Sequence, residues 1–372
     1  MPSQSSARGL TWIYAVTIFI SAFLIFQVQP LISKYILPWF GGTPGVWSVC
    51  MLFFQVLLFA GYAYAHFTIR HLSPGRQVLL HLALIVLAVA LLPIAPDGRW
   101  KPDGSEDPTW RILCLLAASV GLPYFILSST GPLVQAWFSR AHPDASPYRL
   151  YSRSNIGSVL GLVTYPFVVE PFWTTEMQAG VRSLGFVLFG ASCTSCAWSM
   201  RRSCAATKLD AAQNSSDNAA AVPPSRGDRW LWFGLAACAS IMLLATTNQV
   251  CLDVAVIPFL WVLPLSIYLL SFILCFGHER WYPRRHLAIG LAASIVCVLV
   301  LMFREKTTPI FAQIAVYFGT LFFSCMVCHG ELVKLKPHPR YLTSFYLASA
   351  AGGAAGGILV GLVAVGTRHF FP

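Results

Sequence analysis

At 372 residues, 56% of them apolar and only 10% charged, with a mean hydropathy of +0.66, the chain does not have the composition of a soluble protein. A soluble enzyme, a disulfide-stapled secreted domain and a nucleic-acid binder are excluded, and an all-α integral membrane protein remains. The net charge of +11 has to be explained by where the bases sit along such a chain.

Eleven mostly apolar stretches follow one another at 11–30, 45–66, 78–95, 109–129, 150–170, 179–199, 229–250, 254–276, 286–303, 309–329 and 341–365. Each is long enough to cross a ~30 Å hydrocarbon core as a helix, with the lipid bilayer as its partner. The first is too long for a removable signal peptide and lacks a small-residue cleavage site. Basic residues gather in alternate loops: with the N-terminus cytoplasmic, 17 of the 25 Lys and Arg fall inside and 8 outside. That asymmetry predicts a cytoplasmic N-terminus and accounts for the net charge without an acidic partner. Eleven crossings place the C-terminus outside.

Residues 201–228 (RRSCAATKLDAAQNSSDNAAAVPPSRGD) form the only long polar run, rich in Ala, Ser and Pro, and read as a cytoplasmic linker. They divide the chain into a six-span half, 1–200, and a five-span half, 229–372. The halves repeat each other. Thr130-Gly131-Pro132-Leu133 matches His329-Gly330-Glu331-Leu332 at an offset of 199, and Tyr151, Ser154, Gly157 and Gly161 match Tyr346, Ser349, Gly352 and Gly356 at 195. Gln29 and Pro38 match Gln249 and Pro258 at 220. Parallel six-span repeats joined by a long inner loop are the plan of major facilitator transporters, whose cavity lies between the halves. Here the second half lacks its sixth span. The loops after the second span of each half, His66 to Arg76 and His278 to Arg285, also correspond.

Five runs carry a closer likeness: Phe26-Gln27-Val28-Gln29-Pro30, Ile36-Leu37-Pro38-Trp39-Phe40-Gly41-Gly42, Leu127-Ser128-Ser129-Thr130-Gly131-Pro132-Leu133, Ser146-Pro147-Tyr148-Arg149-Leu150-Tyr151 and Cys328-His329-Gly330-Glu331-Leu332. Together they resemble the bacterial fused major-facilitator/spermidine-synthase-like membrane proteins. The resemblance implies a transporter-like inner-membrane domain that moves or senses a small, polyamine-related solute. It also implies a following aminopropyltransferase-like domain, which these residues do not include, so no enzyme activity is assigned. Whether the chain is a stand-alone version or a fragment stays open. The rival reading is a non-transporting anchor or scaffold for a separately encoded synthase-like partner.

Polar groups inside spans are costly unless they face a cavity or one another, so they mark candidate solute contacts. Gln27, Gln29 and Lys34 end the first span, Asn248, Gln249 and Asp253 end the seventh, and Arg153 and Asn155 open the fifth. Lys34 and Asp253, brought together by the offset of 220, are candidates for an outer gate. His329 and Glu331 stand where the first half has Thr130 and Pro132, so a carboxylate replaces a residue that cannot ionise. Gly157 and Gly161 in the first half, and Gly353, Gly357 and Gly361 at four-residue spacing in the second, read as close helix packing. Cys325-Met326-Val327-Cys328-His329 has the spelling of a c-type haem attachment, but it lies at the cytoplasmic end of a span. No haem, other cofactor or metal site is expected, and the eleven scattered cysteines make neither a disulfide framework nor a zinc site.

Overall fold

The computed structural model describes residues 4–41, 44–93, 96, 98–102, 108–142, 145–207, 222–254, 262–304 and 308–368. Among them the chain is helical, with no strand. In order come α1 (Gln4–Phe40), α2 (Pro44–His71), α3 (Pro74–Ala90), α4 (Pro108–Leu116), α5 (Leu122–Ala141), α6 (Tyr148–Thr164), α7 (Glu170–Phe172) and α8 (Thr175–Thr207). The second half supplies α9 (Arg226–Val254), α10 (Val262–Gly277), α11 (Arg284–Arg304), α12 (Ile310–Lys334) and α13 (Leu342–Arg368).

Wide π turns at Ala117–Gly121 and Tyr165–Val169 join α4 to α5 and α6 to α7. Pro123 follows the first and Pro166 lies in the second; a proline has no N–H to donate and crowds the preceding turn, so the helix widens there instead of breaking. Counting each joined pair once, the described helices cover the eleven expected spans. Eight are long and apolar enough to cross a membrane, and Pro74–Ala90 and Val262–Gly277 are shorter apolar helices. The rod starting at Tyr148 is the most polar, opening with Arg149, Ser152, Arg153, Ser154 and Asn155. Of the expected linker, 201–207 continue α8 and 226–228 begin α9, while 208–221 lie outside the described residues.

Contacts divide the chain into two compact units, Met1–Pro223 with His338–Leu347, and Pro224–Pro337 with Ala348–Pro372. The first unit has an extensive interior. Tyr14 and Ile18 of α1 pack with Trp137 and Phe138 of α5 and with Phe186 and Phe189 of α8. A second cluster joins Ile32 and Ile36 to Phe54, Ile112, Leu116 and Tyr124. In the second unit a smaller cluster sets Leu243 against Leu321 and Cys325, and α11 is mostly exposed, as a lipid-facing helix is.

Repeat-related glycines bring the helices together. A Cβ on Gly157 or Gly161 of α6 would lie 2.6 Å from the carbonyl oxygens of Phe19 and Phe23 in α1. In the second unit, a Cβ on Gly352 of α13 would strike the Phe233 carbonyl of α9, and one on Gly356 would sit 2.6 Å from that of Ala237. This corrects the packing series of the second half. Gly352 and Gly356 make the close approach, whereas Gly353 and Gly361 face open space. The same contacts relate α1 to α9 at an offset of 214, pairing Phe19 with Phe233 and Phe23 with Ala237, so the Gln29 to Gln249 match at 220 is six residues out of register.

Candidate functional site

In the first unit a polar network surrounds the middle of α1, just before Pro30. Gln27, 4% exposed, donates through Nε2 to the Gly161 carbonyl at 2.9 Å and to Thr164 Oγ1 at 3.2 Å. Its own carbonyl accepts from Arg182 Nη1 of α8 at 3.1 Å. Arg182 is 5% exposed and gives Nε to the Gln178 carbonyl at 3.2 Å and Nη2 to Gln178 Oε1 at 3.5 Å. Tyr165 OH also donates to Gln178 Oε1, at 3.3 Å. A guanidinium with several fixed donors suits this role, because one side chain reaches acceptors on two helices. Gln29 donates to Tyr124 OH at 3.2 Å.

Arg182 and Gln178 are functional candidates that the sequence reading missed. The signal was a lone Arg within the sixth span, counted there only as an outer base. Arg153 and Asn155 lie toward the other end of α6; Asn155 is six residues, about 9 Å, from Gly161. Arg153 sits over the Trp12 ring at 5.6 Å, and Asn155 Nδ2 donates to the Tyr151 carbonyl of its own helix at 2.9 Å.

The start of α13 belongs to this unit. Tyr346 OH donates to Gln135 Oε1 of α5 at 2.7 Å, and its ring stacks on Tyr151 at 5.0 Å. Tyr62 and Tyr148 approach the same ring at 6.4 Å each, and His66 Nδ1 pairs with Thr343 Oγ1 at 3.1 Å.

In the second unit His329 is fully buried on α12. Nδ1 pairs with Ser271 Oγ of α10 at 2.7 Å, the ring stacks on Phe272 at 3.6 Å, and Tyr268 meets it edge-on at 4.9 Å. Its Nε2 is buried with no hydrogen-bond partner. Cys325, one turn earlier on the same helix, is fully buried as well. Among the described residues no group of three or more His, Cys, Asp or Glu could hold a metal.

Two residues on, Glu331 Oε1 accepts from Tyr282 OH at 2.7 Å and lies 2.9 Å from Arg284 Nε and 3.5 Å from Lys334 Nζ. The carboxylate therefore ties the loop before α11 to α12 and is engaged by three donors. Gly330 makes room for this clamp, since a Cβ there would strike the Tyr282 ring. Burial first, then the Glu331 carboxylate it donates to, pushes the Tyr282 phenol above its ordinary range.

Of the remaining candidates, Asn248 is exposed and Gln249 half-buried on α9. The side chains of Lys34 and Asp253 lie outside the described residues, and with the offset corrected to 214 their helices no longer pair those two positions.

No protein-family model matches the sequence, and no curated protein matches it either. Among solved structures, the major facilitator superfamily proton:xylose symporter XylE bound to 6-bromo-6-deoxy-D-glucose is similar with a TM-score of 0.57, over 95% of this chain and 88% of that one, at 11% sequence identity. The fold is that of the major facilitators. At that identity the likeness is one of architecture, so the side chains that would meet a solute must be argued from this chain alone. Within the major-facilitator fold, the Gln27 to Arg182 network lies inside helices built to span the bilayer.

Proposed function

We propose that this chain is a small-solute carrier of the bacterial inner membrane, with its N-terminus cytoplasmic. Segments 1–200 and 229–372 would be the two moving halves, joined by 201–228. The observation that carries the reading is the buried polar network of Gln27, Gln178 and Arg182 inside spans of a major-facilitator fold. A pure anchor can hold its helices with apolar contacts alone, whereas a carrier needs polar groups at membrane depth.

The solute class is read from the resemblance to the spermidine-synthase fusions: a polyamine-like cation. In the cluster of Tyr62, Tyr148, Tyr151 and Tyr346, the partly exposed Tyr62 and Tyr151 rings are the ones whose π faces suit an ammonium group. The buried charge of the first unit is a guanidinium, so a polyamine would be recognised away from Arg182. Glu331, with three donors already on it, serves this reading less well than an open carboxylate would. The test is binding of radiolabelled spermidine to the purified protein, with putrescine and xylose as competitors. Saturable binding displaced by putrescine and not by xylose is expected. Displacement by xylose alone would reject the polyamine class.

A further inference from the structure

Two contacts fix how α9 runs against α12 in the second unit. Trp232 Nε1 donates to the Leu335 carbonyl just past α12 at 3.0 Å, and Leu243, further along α9, packs with Leu321 and Cys325. Numbers rise on one helix as they fall on the other, so the two are antiparallel neighbours and position 238 comes level with position 328. Both positions are cysteines. Met242, one turn after Cys238, packs against the same Leu321 and Cys325 cluster, which puts Cys238 on the flank of α9 that borders Cys325 and Cys328. The Cys328 thiol donates to the Cys238 sulfur. Neither is in a disulfide.

The sulfurs gathered here differ in access. Cys275, Cys325 and Cys328 are buried, and Cys238 is exposed. A small reagent therefore meets Cys238 first, with Cys328 directly behind it. The pair stands near the polar end of its helices: Cys328 is three residues, about 4.5 Å along the axis, from Glu331 with its Arg284 and Lys334 partners. The duplication did not supply it. At offsets of 214 and 199 the first half has Leu24 and Ser129 in these places, so the helix packing does not itself require a thiol at either one.

We propose that Cys238 and Cys328 are a dithiol pair oxidised by hydroperoxides, with Cys238 attacking, Cys328 resolving, and the resulting disulfide a reversible staple between α9 and α12. The Cys238 sulfur attacks the terminal peroxide oxygen and the O–O bond breaks. The leaving oxygen keeps that electron pair, takes the thiol proton and departs as an alcohol, or as water from hydrogen peroxide. Cys238 is then a sulfenic acid. The Cys328 sulfur displaces its hydroxyl, which leaves as water with the Cys328 proton. Two thiols have lost two electrons and the hydroperoxide has gained them. A thiol reductant returns the pair by exchange.

Peptide mapping of the purified full chain tests this. The reduced protein in detergent is treated with hydrogen peroxide in one arm and a fatty-acid hydroperoxide in another, blocked with N-ethylmaleimide and digested without reduction. Mass spectrometry should find the Cys238 and Cys328 peptides joined, two hydrogens lighter than their sum, and separate again after dithiothreitol. The arm in which joining is faster names the source of the oxidant, aqueous or lipid. In Cys328→Ser the sulfenic acid has no resolving thiol, so dimedone should label Cys238 several-fold more than Cys297, the exposed cysteine of α11. No joined peptide in either arm, a link from Cys238 to a different cysteine, or labelling of Cys238 no greater than that of Cys297 would overturn the proposal. The joined peptide is read on the unaltered chain and decides the matter alone if Cys328→Ser does not fold.

Discussion

The two halves hold corresponding loops against corresponding helices by different chemistry. In the first, the fully packed amide of Gln77 donates to the Thr68 and Leu72 carbonyls at the end of α2, and accepts from Trp137 Nε1 at 3.3 Å and Arg140 Nη1 at 3.2 Å on α5. In the second, Tyr282 and Arg284 clamp Glu331 on α12. A neutral amide has replaced an ion pair in the same architectural role, or the reverse. The helix contacts, by contrast, are repeated: glycines seat α6 on α1 and α13 on α9 in the same way. Duplication therefore preserved backbone proximity, which tolerates no side chain, and let the polar clamps drift, because several side-chain pairs can close a loop.

The largest effect should come from the glycines. Gly161→Ala and Gly352→Ala each push a methyl group into a backbone carbonyl of the facing helix, and should cost about 1–3 kcal/mol of stability, read as a lowered Tm in detergent. Gly353→Ala is the matched control: it meets open space and should be neutral, or stabilising by up to about 1 kcal/mol through helix propensity. Equal losses at 352 and 353 would break the repeat register. Arg182→Met comes next. It takes the side-chain donor from the buried Gln27 carbonyl and leaves Gln178 Oε1 with Tyr165 OH alone, for about 1–3 kcal/mol. Arg182→Lys should rescue only part, because one ammonium cannot reproduce the fork.

The smallest effects sharpen the contrast between the clamps. Gln77→Ala strands the buried Trp137 N–H and should lower Tm by the same amount at low and high salt. Glu331→Gln removes a half-exposed ion pair worth about 0–1 kcal/mol, and the difference from wild type should shrink in high salt. A salt-dependent Gln77→Ala, with a salt-independent Glu331→Gln, would reverse the assignment.

Much of the architecture was legible because bilayer helices advertise themselves: eleven apolar runs became eleven rods, and basic loops separated them. The site was less so. Gln27 and His329 were found because polar residues in spans are rare, yet Arg182 was passed over as a loop base, although its place inside an apolar run with Gln178 four residues earlier marked a buried pair. Tyr282 and Gln77 had no signal, since a loop tyrosine or glutamine is common and only packing shows what it touches. The second half's packing glycines were misplaced by one residue because a four-residue spacing fits both Gly353 and Gly352. The match at 195, which links Gly157 and Gly161 to Gly352 and Gly356, held the right register all along. The offset of 220 rested on one Gln and one Pro, too few to fix a helix by rotation.

The central claim, that this major-facilitator fold moves a solute, is tested most directly by flux. The purified chain is reconstituted into liposomes preloaded with unlabelled spermidine, and entry of radiolabelled spermidine is followed as counterflow. The account predicts transient accumulation above protein-free liposomes, abolished without internal spermidine and reduced in Arg182→Met. Entry indistinguishable from protein-free liposomes, for spermidine and putrescine alike and with the protein shown to be folded, would contradict polyamine transport and favour the anchor.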